Sequence, residues 1–140
     1  MIQVVIDTNV LVAALRSRNG ASWRLLGLLG NGQWRPNLTV AAFLEYEAVL
    51  KRDRETFRLT EKDIDDLLDT LCSQAGLHRQ YFLIRPAVPD PNDDLIAEAA
   101  IASNSDYIIT FNIRDFSGVE RFGVRCLTPG AFLILLGSTP

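Results

Sequence analysis

The chain begins Met1-Ile2-Gln3-Val4-Val5-Ile6-Asp7-Thr8-Asn9-Val10, and no other stretch constrains its fold as tightly. Ile2, Val4, Val5 and Ile6 form a short, nearly continuous apolar run. Such a run suits a strand of a parallel sheet, buried on both faces. It stops at Asp7, and a second apolar run, Val10 to Leu15, follows at once. Strand, tight turn and helix is the simplest reading. Asp7 then stands at the carboxyl end of a central strand, where open α/β sheets bind their ligands. The same residue also suits a plain N-cap, as do Thr8 and Asn9. These ten residues leave both roles open.

The rest of the chain alternates in the same way. Ala21 to Leu29 reads as a second helix, stopped by Gly30, Asn31 and Gly32. Gln33 to Arg35 reads as a very short strand before Pro36. Thr39 suits an N-cap for a long helix to about Arg52. Thr60 and Asp63 resemble a capping box, opening a helix with Ile64, Leu67, Leu68 and Leu71 on one face and ended by Gly76. Gly76 to Gln80 reads as a polar connector, and Tyr81 to Ile84 as a strand. Arg85 to Asp90 carries Pro86 and Pro89 and cannot be helical. Asp90-Pro91-Asn92-Asp93-Asp94 then opens an apolar helix. Tyr107 to Ile109 and Val124 to Leu127 read as short strands, and Thr128-Pro129 starts a final helix, Ala131 to Leu136. This order predicts one α/β domain over residues 1–140 with a mainly parallel sheet.

Composition narrows the chemistry. The chain has 140 residues, 48% apolar and 22% charged, which suits a soluble globular protein with a sizeable core. No apolar run reaches the roughly 18 residues of a membrane span. No basic stretch precedes the first apolar run, so no signal peptide is expected. Cys72 and Cys126 lack metal-ligand spacing and read as small apolar residues of a reducing cytoplasm. The single histidine, His78, removes histidine-rich metal sites, and any Ser-His-Asp or Cys-His centre would have to rest on it. The net charge of −3 gives nucleic-acid binding no bulk support. Carboxylates gathered around divalent cations would lower that charge without repelling phosphates once metal is present.

Four segments carry candidate carboxylates. Beyond Asp7, Glu45 has Ala41, Ala42, Ala48 and Val49 at its helical neighbours, with no basic residue on the helix beside it. A carboxylate on such a stripe needs a partner from elsewhere or a route to water. Glu47, in contrast, has Lys51 four residues on. The run Asp90 to Asp94 holds three aspartates, more than the offset of a helix dipole requires. Thr110-Phe111-Asn112, with Arg114 and Asp115, repeats the first arrangement: polar groups at the end of an apolar strand. Right-handed crossovers bring the carboxyl ends of parallel strands to one edge. Oxygen ligands without His or Cys suit Mg²⁺ or Mn²⁺, which can activate water and neutralise a phosphodiester. The basic run Lys51 to Arg58 suits a solvated surface or a modest phosphate-contacting edge.

These residues resemble the PIN domain family over essentially the whole chain. The carriers are Val5-Ile6-Asp7-Thr8-Asn9-Val10-Leu11, Glu45 followed by Val49-Leu50-Lys51-Arg52, Asp90-Pro91-Asn92-Asp93-Asp94 before Ile96-Ala97, Ile109-Thr110-Phe111-Asn112 with Asp115-Phe116, and Leu127-Thr128-Pro129. The chain looks most like the VapC-like group, the toxins of toxin–antitoxin pairs. The resemblance implies a three-layer α/β/α sandwich with a mainly parallel central sheet of four to five strands. It implies a ribonuclease dependent on Mg²⁺ or Mn²⁺, cutting single-stranded RNA to leave a 5′-phosphate and a 3′-hydroxyl. Asp7, Glu45 and Asp93 match the first three acidic positions, with Asp94 the rival of Asp93. Where many members carry the fourth acid this chain has Asn112, and Asp115 is the substitute. Thr8, Asn9, Thr110 and Asn112 would orient ligands or water. Arg16, Lys51, Arg52 and Arg114 would hold RNA. A homodimer and a cognate antitoxin are implied partners. The alternatives are a PIN nuclease for RNA processing without an antitoxin, and an inactive PIN scaffold. A phosphoacceptor receiver module would need an acidic pair near the first strand, a central acceptor Asp and a later Lys, none of which is visible.

Overall fold

A computed structural model of the chain describes residues 1–78 and 94–137. The elements are β1 (Ile2–Ile6), α1 (Thr8–Arg16), α2 (Ala21–Gly27), β2 (Trp34–Thr39), α3 (Val40–Arg52), α4 (Glu61–Gln74), β3 (Gly76–His78), α5 (Asp94–Ala102), β4 (Tyr107–Ile109), β5 (Arg125–Leu127) and α6 (Pro129–Leu135). Two 3₁₀ turns, Ile113–Phe116 and Val119–Phe122, lie between β4 and β5. The strands form one sheet in the order β3-β2-β1-β4-β5, every pair parallel.

β1 is the middle strand, and Val4, Val5 and Ile6 are buried as the apolar run requires. From β1 the chain steps outward to β2 and β3, then returns past β1 to β4 and β5. Right-handed crossovers in opposite directions put helices on both faces of the sheet, a three-layer α/β/α sandwich in which α5 packs on β1, β2 and β4. The direction of winding reverses between β1 and β4. Asp7 follows β1 and Thr110 follows β4, so both stand at the topological switch point, the usual crevice of an open α/β sheet. The core is contiguous, from Leu11, Leu25 and Leu50 to Ile108, Phe116 and Phe132. Trp34 and Phe132 meet edge to face at 5.9 Å, seating α6 beside β2.

Local expectations hold at three helix starts. Thr39 Oγ1 accepts from the Ala42 N–H at 3.1 Å. Thr60 and Asp63 close a reciprocal capping box. Thr128 Oγ1 accepts from the Ala131 N–H, with Pro129 as the first helical residue. The second helix ends at Gly27 rather than Leu29, because Leu28 already leaves helical geometry and the chain turns through Gly30 at φ +82°.

Two expectations need correction. The second strand is not confined to residues 33–35: β2 runs through Pro36 to Thr39. Proline is tolerated because β3 begins only opposite Asn37, so its missing N–H falls where β2 has a neighbour on one side alone. Gly76 to His78 is not a connector but the edge strand β3. Gly76 is needed there, since a Cβ would collide with Asn37 Oδ1. His78 Nε2 lies 2.7 Å from that same oxygen. Burial first, then the Arg35 charge, lowers the His78 pKa, so the neutral ring donates to Asn37. The expected strand Tyr81 to Ile84, the proline connector and Asp93 lie outside the described residues.

Candidate active site

Asp7 occupies the N-cap position of α1 with extended backbone (φ −65°, ψ 142°), yet its side chain makes no capping hydrogen bond. The carboxylate turns instead toward the next strand. Asp7 Oδ2 accepts from Thr110 Oγ1 at 2.7 Å. Thr110 Oγ1 in turn accepts from the Asn112 N–H at 2.9 Å, which commits the hydroxyl proton to Asp7. The Asp7 N–H donates to Ile109 O and the Thr110 N–H to Leu127 O, both at 2.9 Å. These bonds lace together the carboxyl ends of β1, β4 and β5. Asp7 thus holds the N-cap position of α1 while its carboxylate accepts from the Thr110 hydroxyl.

Glu45 reaches the same edge from α3. Thr8 Oγ1 donates to Glu45 Oε2 at 2.6 Å. Thirty-seven residues also separate Arg16 from Asp53, and the Arg16 charge helps to lower the Asp53 pKa, after the Arg52 hydrogen bond. α1 and α3 therefore run side by side in the same direction. Next to Glu45 in sequence is Tyr46, fully buried, whose hydroxyl donates to the Ile6 carbonyl. Burial, then the Asp7 and Glu45 charges, push the phenol pKa up, so it remains a donor.

Asp7 is only 3% exposed. Burial raises its pKa, the Thr110 hydrogen bond partly offsets this, and the Glu45 charge raises it again. The Thr8 and Asn9 amides lower it slightly. Among the described residues no cationic side chain pairs with Asp7 or Glu45. A buried carboxylate beside a second one, with only hydroxyl and amide donors around it, lacks compensating positive charge. A hard divalent cation would supply that charge, and the donor set of carboxylate oxygens without His or Cys fits Mg²⁺ or Mn²⁺. Among the described residues no three such side chains form a metal-binding group.

The remaining candidates separate. Asn9 is exposed on the first turn of α1. Asn112 is exposed, and its backbone rather than its amide joins the network. Asp115 sits half-buried in the first 3₁₀ turn, its N–H on Asn112 O at 3.0 Å. Among the described residues no hydrogen bond or ion pair ties its carboxylate to Asp7 or Glu45. Asp94 begins α5. Lys51 is engaged by Asp65 at 2.9 Å and Glu47 at 3.3 Å, clamping α3 to α4. Arg52 pairs with Asp53 at 3.0 Å. Arg16 and Arg52 lie at the far ends of their helices, about 12 Å along the axis from Thr8 and about 10 Å from Glu45, at 1.5 Å per residue. Arg114 is exposed on the same turn as Asn112 and Asp115. Two buried polar residues, Tyr46 and Glu98, were not singled out from sequence. Tyr46 carries no signal beyond its place next to Glu45. Glu98, 2% exposed on α5, does carry one: a carboxylate inside the apolar run Leu95 to Ile101.

A family model described as the PIN domain matches residues 3–114. The chain belongs to the PIN domain family. PIN domains are in general nucleases and use divalent metal ions. The crystal structure of VapBC2 from Rickettsia felis, bound to a DNA fragment from their promoter, is similar to this PIN domain with a TM-score of 0.61. The likeness covers 91% of this chain and 99% of that one at 18% identity, and it shows a shared fold. No curated protein matches the chain. Among the described residues of this PIN domain, no helix is long and apolar enough to cross a membrane.

Proposed function

We propose that this PIN domain is a metal-dependent endoribonuclease acting on single-stranded RNA in the cytoplasm, the toxin of a type II toxin–antitoxin pair. The observation that carries the reading is the buried Asp7 carboxylate, adjacent to Glu45 and uncompensated by any cation among the described residues. Asp7 and Glu45 would hold Mg²⁺ or Mn²⁺, with Asp93 and Asp115 as the further acids. Such an ion, when bound, polarises a water and offsets charge on the phosphodiester. The chain's own residues fix the ligands beforehand. Thr110 sets the Asp7 rotamer, the Asn112 amide sets the Thr110 hydroxyl, and Thr8 sets Glu45. Asn9 and the Asn112 side chain would orient water. Hydrolysis would leave a 5′-phosphate and a 3′-hydroxyl. Arg114 is the best placed of the four candidate RNA contacts, because Arg16 and Arg52 stand away from the carboxylates and Lys51 is already paired.

The likeness to a VapBC complex on promoter DNA supports an antitoxin as partner, and a homodimer fits the same family. A second reading, an inactive scaffold, is favoured by Asn112 standing where many members have an acid.

The deciding experiment incubates the full chain with end-labelled single-stranded RNA and Mg²⁺ or Mn²⁺, with and without chelator, beside Asp7→Asn. Metal-dependent cleavage that both chelator and substitution abolish is expected. Cleavage that survives both overturns the metal mechanism, and no cleavage with any metal leaves the scaffold.

A further inference from the structure

The turn after β4 presents its apolar residues in an unexpected way. Phe116 is fully buried in the core, whereas Phe111 is 48% exposed and Ile113 45% exposed. Neither is loose. Phe111 lies between Thr110, bonded to Asp7 and Leu127, and Asn112, whose N–H is bonded back to Thr110. The Asp115 N–H closes the turn on Asn112 O. A wet aromatic ring on a turn this firmly tied does nothing for the core, and it stands one residue from the hydroxyl that holds Asp7.

We propose that the Phe111 ring is a stacking platform for a base of the substrate strand, next to the phosphate held at Asp7 and Glu45. This rests on the nuclease reading above and names how that site takes hold of its strand. The nuclease reading makes a nucleic acid the occupant, and the charge pattern calls for a contact that does not depend on positive charge. The chain is acidic overall, with net charge −3, and the carboxylates face the site, so the strand gains little from bulk attraction. A sequence-tolerant contact to the flat face of a base supplies affinity without positive charge. Ile113, two residues on, is 45% exposed on the same turn. An apolar side chain of a protein partner would need a broader patch, and here Asn112 interrupts the apolar pair and Arg114 follows it.

The test is steady-state cleavage of a short single-stranded RNA by the full chain carrying Phe111→Ala, Phe111→Leu or Phe111→Trp, with Ile134→Ala on α6 as the control for loss of an exposed apolar residue. Each substrate is also made as a set of strands with one abasic position near the cleaved bond. Phe111→Ala and Phe111→Leu are expected to raise KM about tenfold, the scale of one base–aromatic stack, with kcat within about twofold. Phe111→Trp restores KM, and Ile134→Ala leaves it unchanged. One abasic strand raises the wild-type KM by the same factor, and Phe111→Ala adds nothing on that strand. The proposal is overturned if Phe111→Ala leaves KM unchanged, if its effect is equal on every abasic strand, or if Phe111→Leu is as good as wild type. It is also overturned if Phe111→Ala alters only self-association in sedimentation. A wild type that neither binds nor cleaves the strand overturns the nuclease reading as well, whereas cleavage indifferent to Phe111 overturns stacking alone.

Discussion

Thr110 Oγ1 and Asp7 Oδ2 meet at 2.7 Å across 103 residues of sequence, and the bond joins the ends of two neighbouring parallel strands. It holds a carboxylate that burial and the nearby Glu45 both push toward protonation. Most of what can be measured about this site follows from that tension.

Asp7→Asn should stabilise the metal-free protein while abolishing cleavage. The Asp7 pKa is raised in the fold, with burial the largest cause. Its contribution to stability is therefore complete below the unfolded carboxylate pKa and lost as pH rises through the folded value. At neutral pH the ionised form destabilises the fold. Asparagine removes that charge and keeps an oxygen for Thr110. Calorimetry in chelator at pH 7.5 should show Tm higher by roughly 3 °C, with cleavage at least about 100-fold lower.

Metal should reverse the ranking. A ligand that binds only the native state at 100 times its Kd stabilises it by about 2.7 kcal/mol. Mn²⁺ titrations followed by thermal unfolding should raise the wild-type Tm, raise that of Glu45→Gln less, and leave Asp7→Asn unmoved. Because a raised Asp7 pKa makes the ion compete with a proton, the wild-type response should grow with pH through the folded value. An equal Tm shift in Asp7→Asn would place the ion elsewhere.

Thr110→Val keeps shape and removes the hydroxyl. The Thr110 hydrogen bond lowers the Asp7 pKa, so its loss should move the acid limb of the pH–rate profile to higher pH. The Asn112 N–H also loses its acceptor. A stability cost of about 1–2 kcal/mol is expected in urea denaturation. An unshifted acid limb would show that Asp7 titration does not limit the rate.

Tyr46→Phe leaves the Ile6 carbonyl without its buried donor. The expected cost is about 1–3 kcal/mol, read as a lower urea midpoint with an unchanged slope.

Lys51 and Arg114 should behave differently although both are basic. Lys51→Met breaks two solvent-screened ion pairs and should leave the urea midpoint nearly unchanged, with KM for RNA unchanged. Arg114→Ala should leave stability alone and raise KM, with the salt dependence of binding reduced by about one phosphate contact.

How far the sequence led differs from element to element. The start of the chain was legible because a strand buried on both faces has no polar residue to offer, and Val4, Val5 and Ile6 have none. The caps at Thr39, Thr60 and Thr128 were legible because capping is chemistry within three residues. β3 was not, because an edge strand of three residues carries too little apolar pattern, and its place is set by Asn37 and Gly76, 39 positions apart. Pro36 misled for a related reason: whether proline ends a strand depends on where the neighbouring strand begins. At the site, Asp7, Thr8, Glu45 and Thr110 were all singled out, yet their pairing was not. Which hydroxyl serves which carboxylate is decided by the parallel course of α1 and α3 and by the adjacency of β1 and β4.

The span between residues 7 and 110 also sets an order of events during translation. Asp7 leaves the ribosome among the first residues, and Thr110 follows only after most of the polypeptide has been made. Until then β1 lacks its neighbour on one side and Asp7 lacks its hydroxyl donor. The Asp7 carboxylate of this PIN domain thus gains the hydroxyl that orients it only once nearly all of the chain exists.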